Sequence, residues 1–431
     1  MVGLIDCDNF FCSCERVFRP DLAETPVVVL SNNDGCVVAR SREVKAMGVP
    51  EGMPYFEMMQ KYPDAGIVAF SSNYALYGDL SARVMSILRQ EAPDVIQYSI
   101  DEAFLDLEGI PLEQLRPWGE ALCRKVRKCT GVPVSLGIAP TNTLAKIASK
   151  FAKRYPGYNK CCIIADDVQR EKALKLTPAG DVWGIGRRIA RSLAAAGVVT
   201  AYDFTMREPA WVRNKYHVTG LRTWEELRGM PRIEIDAMDA RTKQTIVTSR
   251  SFPGMITELG DMRSHVSNYA ARCAAKLRRQ DSVCSTLTVF IQSNHFRPDL
   301  PQYDRSAFYT FLTPTNTTPE LVTAAMRVLK AIYRPGICYK RAGIMVSGIS
   351  SARAIQPDLF CFDPALRDRF NRVSAALDAV NRRDGADTLV MGVQQYSELA
   401  PDGRSVKFVN AIRRARKSPD YTTRLGAFCL R

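Results

Sequence analysis

Histidine is scarce in this chain. There are three, His217, His265 and His295, and the thirteen cysteines contain no CxxC pair. Cys12 with Cys14, and Cys161 with Cys162, stand too close together for metal-finger spacing, so no zinc site is expected. The cysteine number is odd and the residues scatter from Cys7 to Cys429, which fits reduced cytosolic thiols used as small core residues. No stretch approaches the roughly 20 apolar residues that span a bilayer. Met1 to Phe11 lacks the basic region and cleavage site of a signal peptide, and Asp6 and Asp8 interrupt its apolar character. There is no solenoid period and no low-complexity tract. The expectation is a soluble, cytoplasmic protein with no membrane partner.

The chain has 431 residues, enough for several domains, and 46% of them are hydrophobic, enough for sizeable cores. The formal net charge is +14, which favours an anionic partner such as nucleic acid, although general solubility explains charge alone equally well. The charge is unevenly placed. Lys and Arg outnumber Asp and Glu by nine to four between Trp183 and Arg232, by fifteen to six between Arg241 and Ser350, and by eight to one from Arg404 to Arg431. The region before them carries no such excess, an arrangement suited to gripping a polyanion.

Periodicity places strands at Val2–Cys7, Val27–Leu30, Val95–Ser99, Ile100–Leu107 and Val134–Ile138. Helices are expected after an Asn9 cap, from Asn73 to Glu91, from Glu113 to Thr130 and from Thr141 to Lys153, the last with Lys146, Lys150 and Lys153 near one face. A second region starts near Asp166. A third, from about Lys243 to Ser350, reads β-α-β-β-α-β, the chain order of a ferredoxin-like unit. Ser347 to Arg353 reads as a linker. The fold class is α+β and multidomain.

Asp6 ends the first strand, and Asp101 and Glu102 lie at the turn between two later ones. Acids at strand ends are most often solvated turn residues. Ionised acids against apolar strands need counter-charge, however, and three at neighbouring strand ends could hold two hard divalent cations. The surrounding motifs are specific. Asp6-Cys-Asp-Asn-Phe-Phe-Cys-Ser-Cys-Glu15 and Ser99-Ile-Asp-Glu-Ala-Phe104 resemble the two catalytic motifs of Y-family DNA polymerases. Ser31-Asn-Asn-Asp-Gly-Cys-Val-Val-Ala-Arg40, Phe70-Ser-Ser-Asn-Tyr-Ala-Leu-Tyr77, Asp181-Val-Trp-Gly-Ile-Gly-Arg-Arg188 and Tyr421-Thr-Thr-Arg424 are similar to the UmuC branch of that family. The likeness runs along essentially the whole chain.

The resemblance implies error-prone, template-directed DNA synthesis across damage by two-metal nucleotidyl transfer. It implies a right-hand architecture: a ferredoxin-like palm (1–25 and 74–165), small fingers (26–73), a helical thumb with a helix-hairpin-helix (166–240), a little finger with ferredoxin-like order (241–350) and a tail (351–431). It implies Mg²⁺ on Asp6, Asp101 and Glu102, assisted by the Cys7 carbonyl, with Asp8 a hydrogen-bonding residue and Asp106 structural. Phe11 falls at the steric gate that excludes a 2′-hydroxyl, where relatives often carry Tyr, while Phe10 is core. Arg42 and Lys45 stand where the family has a Tyr-x-x-Arg phosphate pair, and Lys153 is the distal phosphate lysine. Gly184, Gly186 and Arg187 would meet a DNA phosphate. Gln356, Leu359 and Phe360 resemble a motif that binds the sliding clamp. A processed UmuD dimer and RecA are implied partners, beside primer-template DNA and dNTPs. Two other classes stay open: an idle DNA-bound scaffold, and a cyclase on a similar palm, which the basic regions disfavour.

Overall fold

The computed structural model describes residues 1–235, 243–360, 362–394 and 414–419, with backbone alone at 397–399 and 406–408. The chain divides into two units, Met1–Arg241 with Arg414–Arg431, and Thr242–Arg413. The Tyr421 to Arg424 motif and Arg413 of the basic end lie outside the described residues.

In the first unit the order is β1 (Val2–Cys7), α1 (Phe10–Val17), β2 (Val27–Leu30), β3 (Val37–Arg40), α2 (Arg42–Ala46), α3 (Tyr55–Lys61), β4 (Val68–Ser71), α4 (Tyr74–Glu91), β5 (Asp94–Gln97), β6 (Glu102–Asp106), α5 (Leu112–Thr130), β7 (Val134–Ala139), α6 (Asn142–Arg154) and β8 (Cys161–Ile163). Four helices follow: α7 (Asp167–Lys175), α8 (Arg187–Ala195), α9 (Ala201–Thr205) and α10 (Pro209–Leu227). The main sheet runs β5-β6-β1-β7-β8, with β1 antiparallel to both neighbours and β7 parallel to β8.

A strand alternates its side chains between two faces. On one face of this sheet Ile5, Cys7, Ala103, Leu105 and Leu136 pack with α1, α4 and α5. On the other, Leu4 and Phe104 pack with α6 and the helices beyond it. Asp6 and Glu102 keep the phase of Leu4 and Phe104, so both acids fall on the α6 face. The approach of α6 to the sheet is set by Gly137, where a Cβ would lie 2.1 Å from the Ser149 nitrogen and 2.3 Å from the Ala145 oxygen. Only a missing side chain allows helix and strand this close.

A second, three-stranded sheet, β3-β2-β4, has its own core of Val28, Leu30, Val37, Val44, Val49, Met53 and Met58. The helices α7 to α10 join the α6 core through Leu174, Leu193, Phe204, Trp224 and Leu227, with Ile185 of the turn before α8. Glu226 of α10 is fully buried. Its carboxylate accepts from the Thr143 amide at 3.0 Å and the Arg232 amide at 2.7 Å, and its carbonyl accepts from the Thr141 hydroxyl. A carboxylate at the first turn of α6 satisfies amides that have no partner inside the helix.

The second unit contains β9 (Ile246–Ile256), α11 (Leu259–Arg279), β10 (Ser282–Ser293), β11 (Asp304–Thr315), α12 (Thr318–Ile332), β12 (Tyr339–Ser351) and α13 (Pro364–Arg383). The expected β-α-β-β-α-β chain order holds. The sheet order is β11-β10-β12-β9, all antiparallel, so the second and fourth strands are central and each helix crosses over one intervening strand.

Two expectations are corrected. The polar stretch from Ser347 is no linker, since β12 runs to Ser351 and pairs it with Ser282. Its polar side chains lie on a solvated strand, where a strand needs none of them to be apolar. The stretch from 351 is not a single tail. Residues 362–394 dock on the helices of the second unit, through paired hydrogen bonds of 2.7 Å between Arg278 and Asp378, and through Ser374, Asp387 and Gln394. Residues 414–419 belong to the first unit.

Candidate active site

Asp6 and Glu102 are register partners across β1 and β6. Asp101 extends the ladder by one step, its carbonyl accepting from the Cys7 amide at 2.9 Å. The Ser99 hydroxyl closes the turn. It accepts from the amides of Asp101 (3.1 Å) and Glu102 (3.0 Å) and donates to the Asp101 carboxylate at 2.6 Å. Strand pairing and one serine therefore bring the three predicted acids to one sheet end. Cys7 alternates into the opposite core and burial pushes its thiol up, which leaves only its backbone carbonyl as a candidate ligand.

Two lysines of α6 reach these acids. Lys153 meets Asp6 at 2.5 Å, and Lys146, two turns earlier, meets Glu102 at 2.9 Å. Lys150, between them, bonds the Asp181 carbonyl. Lys146 sits among three rings, 4.7 Å from Tyr98, 5.3 Å from Trp183 and 5.8 Å from Phe104. Its link to Glu102 could not be read from sequence, because Tyr98 and Trp183 are far apart in the chain and meet only through packing. Asp8 accepts from Ser135 at 2.9 Å and pairs with Lys160 at 2.8 Å, with Lys153 farther off at 3.9 Å. Asp106 is exposed and accepts from the Glu108 amide.

Burial raises the Asp6 carboxyl from 3.8 to about 7 despite the lowering effect of Lys153, and Glu102 and Asp101 add to the rise. Three acids with two ammonium groups leave this carboxylate short of positive charge. Among the described residues no three His, Cys, Asp or Glu side chains close on one point as a ready-made metal cluster. The donor set nonetheless fits a hard divalent cation, which takes carboxylate and carbonyl oxygens and would relieve the shortage at Asp6.

Phe10 is buried and Phe11 is half-buried. The Phe11 ring stacks on Tyr77 at 4.5 Å and meets the edge of Tyr74 at 5.9 Å. Tyr77 in turn donates to the buried Glu15 carboxylate at 2.7 Å. Asn9 caps α1 by position, but its side chain accepts from Lys45 at 2.6 Å instead of from the helix. Lys45 is lowered by burial and by the nearby charges of Arg40 and Lys153. Arg42 is exposed at the start of the same short helix, α2.

Gly184 takes φ of +89, Gly186 is the N-cap of α8, and Arg187 and Arg188 are exposed at its first turn. The element before them is a single 3-10 turn, Ala179–Asp181, so this hairpin has one full helix where two were expected. In the second unit Gln356 is exposed, and Leu359 and Phe360 are 86% and 90% exposed. The Asp358 amide anchors the loop on the Thr313 hydroxyl at 2.8 Å. Two large apolar side chains held outward at adjacent positions suit insertion into a partner's pocket.

The impB/mucB/samB family matches residues 5–150, and that family's C-terminal domain matches residues 243–359. Protein UmuC of Salmonella typhimurium strain LT2 is 41% identical over 426 residues, 98% of both chains. The chain belongs to the impB/mucB/samB family. It is a Y-family DNA polymerase of the UmuC type. Protein MucB of Escherichia coli is 36% identical over 425 residues, 98% of this UmuC-type chain and 97% of the relative. DNA polymerase IV of Caulobacter vibrioides is 27% identical, covering 91% and 93%. Among solved structures, a Y-family DNA polymerase chimera of Dbh and Dpo4 superposes with a TM-score of 0.65 at 19% identity, over 81% of this chain and 99% of that one. At that identity the likeness establishes the right-hand polymerase fold. A domain of unknown function, DUF4113, matches residues 371–428. Among the described residues no helix is long and apolar enough to cross a membrane.

Proposed function

We propose that this polymerase extends a primer across damaged template with Asp6, Asp101 and Glu102 as its metal-binding acids. One observation carries the assignment: Asp6 and Glu102 sit side by side on β1 and β6, Asp101 adjoins Cys7, and Asp6 is half-buried with too little positive charge. Mg²⁺ held by these acids and the Cys7 carbonyl would supply charge to activate the primer hydroxyl and to clamp the triphosphate. The protein's own groups do the rest. Lys153 and Lys45, with Arg42 beside them, bind and orient the triphosphate, and the Phe11 ring excludes a 2′-hydroxyl from the sugar position.

In this reading residues 1–25 and 74–165 are the palm, 26–73 the fingers, 166–240 the thumb and 241–350 the little finger, which 351–394 extends. The short 26–73 segment offers few groups that test base-pair geometry, which accords with error-prone synthesis. The amides at the start of α8, with Arg187, grip a DNA phosphate irrespective of sequence. Gln356, Leu359 and Phe360 tether the enzyme to the sliding clamp and raise its local concentration at the primer end. A processed UmuD dimer and RecA, suggested by the likeness to protein UmuC, are its partners in the cytoplasm.

The test is primer extension on a template with an abasic site, with Mg²⁺, dNTPs, clamp, RecA filament and UmuD partner. Extension is expected from the parent and none from Asp101→Ala/Glu102→Ala. Absence of any extension by the parent would refute the lesion-bypass reading. Extension that survives in the double variant would refute the assignment of the acids.

A further inference from the structure

Two of the UmuC-like motifs, Ser31 to Arg40 and Phe70 to Tyr77, have no role in the chemistry above. Both meet the short segment 414–419 that returns from the C-terminal part of the chain. Lys417 forms a parallel bridge with Ser71, at the end of β4, one of the two edge strands of its sheet. The Ser71 amide donates to the Arg416 carbonyl at 3.0 Å, and the Arg416 amide donates back to the Ser71 hydroxyl at 3.0 Å. The Ala415 amide donates to the Asp34 carboxylate at 3.0 Å. The Arg416 guanidinium lies 4.9 Å over the Tyr55 ring.

The segment ends against the support of the gate. Ser418 is 5% exposed, and its hydroxyl accepts from the Asn73 side chain at 3.0 Å. Asn73 is buried and caps α4, its carbonyl oxygen accepting from Leu76. The next residues on that turn are Tyr74 and Tyr77, the two rings in contact with Phe11. The Tyr77 hydroxyl donates to the buried Glu15 carboxylate at 2.7 Å, and burial raises that carboxyl above its ordinary range. Polar contacts thus join Ser418, through Asn73, to the first turn of α4, the turn that carries the ring on which Phe11 stacks.

We infer that residues 414–419 are a positioning strap that fixes the first turn of α4 and so sets how closely Phe11 approaches the sugar. This gives part of the region matched by DUF4113 a task in nucleotide selection. The inference rests on the reading of Phe11 as the steric gate. An edge strand and an N-cap are the two places where this support can shift, because each has backbone or side-chain groups that only an added segment satisfies. The strap meets both from one six-residue stretch that turns at 415 and 416.

The experiment uses the full chain. Arg416→Pro removes the amide that donates to Ser71, and Ser418→Ala removes the acceptor for Asn73. Arg416→Ala keeps the amide and serves as the control. Single-nucleotide insertion kinetics should show, for Arg416→Pro and Ser418→Ala, a rise of about fivefold in KM for dNTP and a comparable loss of dNTP-over-rNTP selectivity, the scale of one hydrogen bond. Their kcat and primer-template affinity should match the Arg416→Ala control. Hydrogen exchange at the Leu76 and Tyr77 amides should accelerate in both variants. Faster exchange with parental KM and selectivity overturns the strap, and unchanged exchange overturns the contact itself. Phe11→Ala is run in parallel. If it relaxes selectivity while the strap variants do not, only the strap fails. If it leaves selectivity unchanged, the gate reading fails, and the strap, which rests on it, falls with it.

Discussion

Replacing Asp6 by Asn should stabilise the metal-free protein at pH 8 while abolishing its chemistry. The reason is burial. Taken from water between Asp101 and Glu102, the Asp6 carboxyl rises from 3.8 to about 7. Below about pH 4 it is protonated in folded and unfolded chains alike and has no effect on stability. Between about 4 and 7 the unfolded chain releases this proton and the folded one keeps it, so stability falls as pH rises. Above 7 both are ionised and the full penalty remains. At about 1.4 kcal/mol per pH unit between the two values, the penalty reaches up to about 4 kcal/mol. Asn has nearly the same shape and no charge. Lys153 loses its partner, but its side chain is 31% exposed and stays hydrated.

All four tryptophans, Trp118, Trp183, Trp211 and Trp224, lie in the first unit, so their fluorescence reports its unfolding alone. In EDTA the melting temperature of Asp6→Asn should exceed the parent's by up to about 8 °C at pH 8, and by almost nothing at pH 4. A divalent cation added at pH 8 should stabilise the parent and leave the variant unmoved. A gap between parent and variant that is the same at pH 4 and pH 8 would refute the argument, as would a variant less stable than the parent at pH 8.

Three further outcomes are expected. Phe11→Ala should lose on the order of 100-fold of its discrimination against ribonucleotides in single-nucleotide insertion, the scale of rejection by shape. Gly137→Ala puts a carbon against the backbone of α6 and should destabilise the first unit by about 3 kcal/mol in urea titrations followed by tryptophan fluorescence. Leu359→Ala/Phe360→Ala should lose clamp binding, read by fluorescence anisotropy, and with it at least about tenfold of clamp-stimulated extension, since both side chains are almost wholly exposed and available to a pocket.

The elements most legible in the sequence were those whose period and caps agree. β1 and β2 lie where their apolar runs place them, and α4 and α6 begin after the side-chain caps Asn73 and Thr141. Helix α13 was missed because its buried side chains are few, chiefly Ser374 and Leu377, and it docks by ion pairing to Arg278. An amphipathic stripe leaves a trace in sequence, whereas an ion pair between residues a hundred positions apart leaves none. The same holds for Glu226, whose carboxylate finds the start of α6 from another helix.

The sequence by itself determined where the acidic, aromatic and basic motifs lie, because each depends on residue type within a short stretch. It also determined that Asp6 shares a face with Leu4, since alternation along a strand is local. Tertiary structure alone decided which cations meet those acids, that Lys146 lies among three rings, and that residues 414–419 meet Ser71 and Asn73. Those outcomes depend on how closely α6 meets the sheet at Gly137 and on where a distant segment finds unsatisfied hydrogen-bonding groups. Neither is a property of any one stretch of chain.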